Sequence, residues 1–154
     1  MTNALVTRHS PNELHDLVDV DLPVTEWQAI GQDRIGLFAD ATGDHQWIHV
    51  DPRRAAEGPY GKPIAHGYLS LSLIGPLFAQ VLEVTHASMV VNYGLDRVRF
   101  PSPLLVDSRV RLASKIVSAS AVTGGVQVVV RATLECEGGT KPICVADAVF
   151  RYFD

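Results

Sequence analysis

Residues 42–72 read TGDHQWIHVDPRRAAEGPYGKPIAHGYLSLS. The stretch carries a carboxylate, Asp44, and an imidazole, His49, five positions apart, then a Gly/Pro-rich loop, then the start of an apolar helix at His66-Gly67. Five residues along a helix turn through roughly 500°, which would set the two side chains about 140° apart around the axis and keep them from one target. An irregular backbone lets them converge. Gly43 supports a turn just before them, because glycine reaches conformations closed to other residues. Asp51-Pro52 reads as an N-cap followed by proline at the first helical position, opening a short helix through Glu57. His49 thus stands just ahead of a capped helix start.

Working outward, residues 66–82 carry Tyr68, Leu69, Leu71, Leu73, Ile74, Leu77, Phe78, Val81 and Leu82 and are apolar nearly all round, which predicts a buried central helix. Pro76 should remove one of its hydrogen bonds and bend it near Ser72. Upstream, residues 32–41 place Ile35, Phe38 and Ala39 on one helical face and end at Thr42-Gly43. Residues 24–30, around Trp27, read as a first strand. Ser10-Pro11-Asn12-Glu13 has the form of a capping box and predicts a short helix through about Val18, in an N-terminal helical extension over residues 1–22.

Downstream the period changes to two. Residues 88–100 read as one long strand with a bulge at Gly94, ended by Pro101-Ser102-Pro103. Residues 107–118 alternate Val110, Leu112 and Ile116 with Arg109, Arg111 and Lys115. A Gly124-Gly125 hairpin leads into 126–137, and Gly138 to Pro142 turns into 143–153. One strand, a helical insertion, a buried helix and four long antiparallel strands make an α+β fold in which a sheet wraps around a helix.

Composition narrows the function classes. A chain of 154 residues predicts a single domain able to bury roughly 70% of its unfolded surface. With 47% hydrophobic and 19% charged residues it is not a disordered chain. A net charge of −4 with no basic stripe argues against nucleic acid, and Arg53-Arg54 suffices only to meet a single phosphate group. The apolar run 67–82 is too short to span a membrane and is interrupted by Gly75-Pro76. The first residues hold no apolar run of the kind a secretory signal needs, and the two cysteines, Cys136 and Cys144, read as free thiols, so a cytoplasmic location is expected. No nucleotide or haem motif is present, and no cofactor is expected.

The order of elements, together with FADATGDHQWIH, GKPIAHGYLSLSL and LDRVRFPSPLLVDSRVRL, resembles the MaoC-like hot-dog family, from about Val24 to the C-terminus. That family includes the (R)-specific enoyl-CoA hydratases and the nodulation protein N-like members. The hydratase motif Gly-Asp-x-Asn-Pro-(apolar)-His reads here Gly43-Asp44-His45-Gln46-Trp47-Ile48-His49. Gln46 and Trp47 replace Asn and Pro, as in the nodulation-protein-like branch.

The resemblance implies that Asp44 and His49 are the catalytic pair and that the Gly67 N–H is the oxyanion donor to a thioester carbonyl. It further implies an acyl-CoA or acyl-carrier-protein thioester as substrate, reversible syn addition of water to a trans-2-enoyl thioester, and a homodimer. Gln46 is then placed to orient Asp44 or the water. Tyr68 would line an acyl tunnel, with Trp47 and His66 beside the substrate.

Each residue also has a plainer reading. Asp44 alone reads as a turn aspartate, His49 as a satisfied histidine, His66 as a helix-entry residue bonding backbone, Gly67 as a packing glycine, and Trp47 and Tyr68 as core. The spacing His45-x₃-His49-x-Asp51 would suit a metal only on a helix, which Pro52 opposes, so no metal is expected. Arg97, Arg99, Arg109 and Arg111 are either phosphate contacts or a solvated face. An acyl-CoA thioesterase and a non-catalytic acyl-thioester binding module are the alternative functions.

Overall fold

The computed structural model of the chain describes residues 5–154, so the first four residues of the N-terminal extension lie outside it. A five-stranded antiparallel sheet is its frame, in the order β2-β5-β6-β7-β4. The strands are β2 (Gln28–Ile30), β4 (Met89–Arg99), β5 (Ser108–Val122), β6 (Gly125–Cys136) and β7 (Cys144–Phe153). The period-two pattern has the expected effect. Val110, Leu112 and Ile116 of β5, Val128, Val130 and Leu134 of β6 and Phe150 of β7 all turn to one buried face. Their alternates carry charge across the solvent face, where Arg109 pairs with Glu137, Arg111 with Glu135 and Arg131 with Asp147.

Helices from the middle of the chain cover the apolar face, as the α+β reading expects. The central helix is broken. It forms α4 (Gly67–Ser72) and α5 (Ile74–Phe78), not one helix over 66–82, and the chain then enters β3 (Leu82–Val84). Pro76 accounts for the break, since it has no N–H to offer the Ser72 carbonyl one turn back. The Leu73 N–H to Leu69 and Leu77 N–H to Leu73 bonds carry the helical path across the junction. The two helices are also less completely buried than an all-round apolar pattern suggests. Leu69, Leu73, Ile74, Leu77 and Phe78 are in the core, whereas Tyr68, Ser72, Pro76 and Ala79 form an exposed stripe.

Three N-terminal details depart from the periodicity. The segment after Ser10 is a 3₁₀ helix, Pro11–Leu17, with no side-chain cap from Ser10, and Glu13 instead accepts from the His9 N–H. It still delivers Leu14 and Leu17 into the same core as the sheet. The first strand shrinks from 24–30 to three residues. Before it, Thr25 bonds the Leu112 backbone twice, through its own N–H to the carbonyl and through its hydroxyl from the Leu112 N–H at 2.8 Å. Finally β1 (Val6–Arg8) pairs in parallel with β3 as a separate two-stranded sheet that the sequence reading lacked. Neither three-residue strand is long enough to show a period.

β4 keeps the sheet's outer edge. It has register shifts at Asn92/Gly94 and Leu95/Arg97, the first where the bulge was expected. The site-bearing segment lies between β2 and α4: α1 (Gln32–Thr42), α2 (Trp47–Val50) and α3 (Pro52–Ala56). Gly43 ends α1 in the left-handed region at φ 75°, which explains a glycine there. Asp51 caps α3 by accepting from the Arg54 N–H at 3.0 Å, as read from Asp-Pro.

Candidate active site

His49 does not sit on irregular chain as expected but on a single helical turn, α2, while Asp44 precedes that turn. The convergence is therefore made by the bend between Gly43 and Gln46, not by the whole segment. Gln32, at the start of α1, donates its amide to the His49 carbonyl at 2.8 Å, and the Ile64 N–H bonds the Ile48 carbonyl. α2 is thus clamped from both sides.

The two rings are oriented by backbone carbonyls. His49 Nδ1 lies 2.6 Å from the Ile64 carbonyl, and His66 Nε2 lies 2.9 Å from the Asp44 carbonyl. A carbonyl only accepts, so each of those nitrogens carries the hydrogen. The nitrogens left with lone pairs are His49 Nε2 and His66 Nδ1. The latter is buried with no partner among the described residues. The rings stack at 3.8 Å between centroids, and Phe38 packs on His66 at 4.9 Å. His49 and His66 are only 6% and 3% exposed, whereas Asp44 is open to solvent.

A carboxylate oxygen of Asp44 and one ring nitrogen from each histidine lie within 4.8 Å of one another. Two partners held at about 2.8 Å around a tetrahedral water oxygen stand roughly 4.6 Å apart, whereas ligands about 2.05 Å from zinc stand roughly 3.3 Å apart. A bound of 4.8 Å leaves room for a water held between them. His45 takes no part, because its ring is paired with Asp40 at 2.8 Å. Burial first, and the neighbouring His66 ring less strongly, push His49 below its ordinary value of 6.5. The Ile64 bond and Asp44 oppose them without reversing the direction.

Gly67 opens α4. The Leu69 and Ser70 N–H groups turn back on the His66 carbonyl, so the N–H groups of Gly67 and Tyr68 face away from the helix's own bonds. A side chain at Gly67 would stand 3.2 Å from the Phe100 ring, which roofs the glycine. Beside it is a cleft of about 230 Å³ bordered by Tyr60, Ile64, Phe100 and Leu104.

The other residues singled out in the sequence are placed differently. The Gln46 backbone N–H, not its side chain, reaches Asp44, at 3.4 Å. Trp47 packs between the Arg54 guanidinium and Gly58, within the overhang. Tyr68 is 72% exposed and meets Phe100 edge-on. Arg109 and Arg111 belong to the ion-paired solvent face, the plainer of their two readings. Gln32, Phe38, Phe100 and the Ile64 carbonyl were not among the site groups read from the sequence. A backbone carbonyl leaves no residue signature, and an aromatic gives no hint of which ring it will cover.

The profile of the MaoC like domain, a dehydratase family, matches residues 16–137. The chain belongs to the MaoC-like dehydratase family. It is 50% identical over 129 residues to 3-hydroxyacyl-thioester dehydratase Z of Mycobacterium tuberculosis, covering 83% of this chain and 85% of that one. It is 41% identical over 147 residues to nodulation protein N of Rhizobium leguminosarum, covering 87% and 90%. Among solved structures, an R-hydratase from Pseudomonas aeruginosa superposes with a TM-score of 0.71 at 22% identity, covering 85% of this chain and 80% of that one, a likeness of fold. Both the hot-dog architecture and the likeness to nodulation protein N therefore agree with the sequence reading. As a member of a dehydratase family this MaoC-like chain is a hydro-lyase. No helix among the described residues is long and apolar enough to cross a membrane.

Proposed function

We propose that the chain is an (R)-specific hydro-lyase on acyl thioesters, adding water reversibly to a trans-2-enoyl-CoA to give the (R)-3-hydroxyacyl-CoA. The observation that carries this reading is the meeting of Asp44, His49 and His66, a carboxylate oxygen and one nitrogen of each ring within 4.8 Å, beside the helix entry at Gly67. A water held there donates to acceptors and keeps a lone pair for Cβ. The Asp44–His49 pair takes one proton as the C–O bond forms, the π electrons move toward the thioester oxygen, and the Gly67 N–H meets the developing negative charge. The proton returns to Cα from the same side, giving syn addition. The relative named as a 3-hydroxyacyl-thioester dehydratase supports the same chemistry run in reverse.

The acyl chain leaves the cleft along the face of α4 and α5 that carries Gly67, Leu71 and Gly75. That face borders an apolar groove of about 280 Å³ closed by Tyr93, Leu95 and Phe150. Arg53 and Lys62, exposed on the overhang, suit the phosphates of a CoA or carrier-protein pantetheine arm. The two free cysteines fit a reducing cytoplasm.

The decisive test follows conjugated-enoyl absorbance with crotonyl-CoA and a longer trans-2-enoyl-CoA. Loss of absorbance without free thiol supports hydration. Thiol release would replace the reading with a thioesterase, and tight binding without turnover with a binding module. Because His49 is pushed below 6.5, its ring stays neutral at pH values where an ordinary histidine has charged. The acid limb of kcat/KM in a pH–rate profile is therefore expected below 6.5, and a limb set by His49 above 6.5 would overturn the downward shift of its ring.

We further propose that two copies pair along β4. This edge strand exposes Met89, Val90, Tyr93 and Leu95, each about half accessible, and a long apolar edge is a template for pairing. Leu95→Glu is expected to convert a species of twice the chain mass to monomer in sedimentation velocity, with loss of activity. A native chain that already sediments as monomer would refute the pairing.

A further inference from the structure

The helical turn that carries His49 cannot hold itself. A single turn such as α2 has little stability of its own and is fixed where its end carbonyls find partners outside it. Pro52, which opens α3, brings no N–H back to α2. The Trp47 carbonyl accepts from the Asp51 N–H, the Ile48 carbonyl from the Ile64 N–H, and the His49 carbonyl from Gln32 Nε2 at 2.8 Å. Of these three donors Gln32 is the one side chain, reaching across 17 positions from the first residue of α1.

The orientation of that amide carries a penalty. A carbonyl only accepts, so the Nε2 end faces His49 and the Oε1 end faces the other way. There Oε1 is buried with no partner among the described residues. A buried acceptor left unmet lowers stability, and methionine, of similar length, would fill the place without one. What methionine could not do is donate to His49.

We propose that Gln32 is a positioning residue for the reaction, holding the His49 backbone so that the ring keeps its place beside Asp44. This rests on the hydro-lyase reading above. The amide is committed to backbone, so it acts through α2 and not on the reacting atoms. The His49 ring is tied to the Ile64 carbonyl at 2.6 Å and stacked on His66 at 3.8 Å, while its backbone is tied on the α1 side by Gln32. With that last bond gone the turn is free to shift on the α1 side, and the separation of His49 from Asp44 is no longer fixed.

Gln32→Met exchanges one unmet acceptor for another, Oε1 for the His49 carbonyl, so the thermal midpoint should stay near native. Hydration should suffer more. With crotonyl-CoA, kcat should fall about ten- to a hundredfold at a little-changed KM, the scale of a misplaced catalytic group. The acid limb of kcat/KM should move up toward 6.5, because burial is the first cause of the low His49 value and a loosened α2 admits water to the ring. The ionisable groups that bear on that ring are Asp44, which raises its value, and His66, which lowers it, and the substitution alters neither. A purely structural Gln32 would instead lower the midpoint and the active fraction together and leave the limb in place.

The experiment compares the native chain, Gln32→Met and Gln32→Glu by thermal midpoint, by kcat and KM with crotonyl-CoA across pH, and by NMR titration of the His49 ring. Glutamate keeps the size, suits the first turn of a helix and cannot donate once ionised, so at about pH 8 its kcat should fall at least as far as that of the methionine variant. Folded variants with native kcat, or a Gln32→Met chain with the His49 titration unmoved, overturn the proposal. So does failure of both variants to fold, which makes Gln32 a structural residue. A native chain that hydrates no enoyl-CoA refutes the hydro-lyase reading instead, and the NMR titration alone then decides whether Gln32 holds His49.

Discussion

Asp44→Asn is expected to lower kcat for crotonyl-CoA hydration by about 10²- to 10⁴-fold, the range a positioned acid/base group supplies. The substitution keeps the shape of the side chain and its acceptor toward the Gln46 N–H. It removes the charge and, more damagingly, adds two N–H donors beside the His49 and His66 rings. Those donors compete for the acceptors that would otherwise hold the water. Because Asp44 is solvent-exposed, the thermal midpoint should barely move, and an exposed substitution away from packing usually stays within about 0.5 kcal/mol. His49→Ala should lose as much activity but is a poorer probe. It empties a buried site, strands the Ile64 carbonyl and removes the stack on His66, so a lost fold and a lost base become hard to separate. A native melting curve with less than a tenfold drop in kcat for Asp44→Asn would remove this carboxylate from the chemistry.

The second large effect concerns the helix entry. Gly67→Pro should lower kcat by about 10²- to 10³-fold, the usual cost of one missing oxyanion donor. Proline is unusually admissible here. Gly67 is the first residue of α4, where the N–H is free in any case, and His66 before it has φ −59° and ψ 139°, the extended region a residue preceding proline prefers. The helix should therefore survive while the donor disappears. Gly67→Ala is the control, since it keeps the N–H but adds a carbon 3.2 Å from the Phe100 ring. A modest loss in Ala and a large one in Pro would isolate the hydrogen bond. Equal losses would mean that crowding under Phe100, and not the N–H, explains the glycine.

Much of this was legible in the residues. Alternation in β5, β6 and β7 marks their buried faces because a half-buried strand leaves a period of two in the chain. Asp51-Pro52 and Gly43 mark a helix start and a helix end because each element boundary has its own local chemistry. The elements that escaped are those whose partners are distant. β1 and β3 are three residues each and exist by pairing with each other, and Thr25 completes an edge through a hydroxyl bonded to Leu112. The central helix was read as one bent piece because its apolar run continues through Pro76, and only packing decided that Tyr68 and Ser72 would face outward.

The sequence by itself determined the α+β class, the long antiparallel strands with their alternating faces, the apolar helix behind Gly67 and the Asp44-to-His49 motif. Each is written locally, in periods, caps and spacing. Tertiary structure alone decided how the two rings of the site are anchored. The Ile64 carbonyl is 15 positions from His49 and the Asp44 carbonyl 22 positions from His66, and those two acceptors dictate which nitrogen of each ring stays bare. A backbone carbonyl is common to every residue, so nothing in the order of side chains announces which one a folded chain will bring against an imidazole.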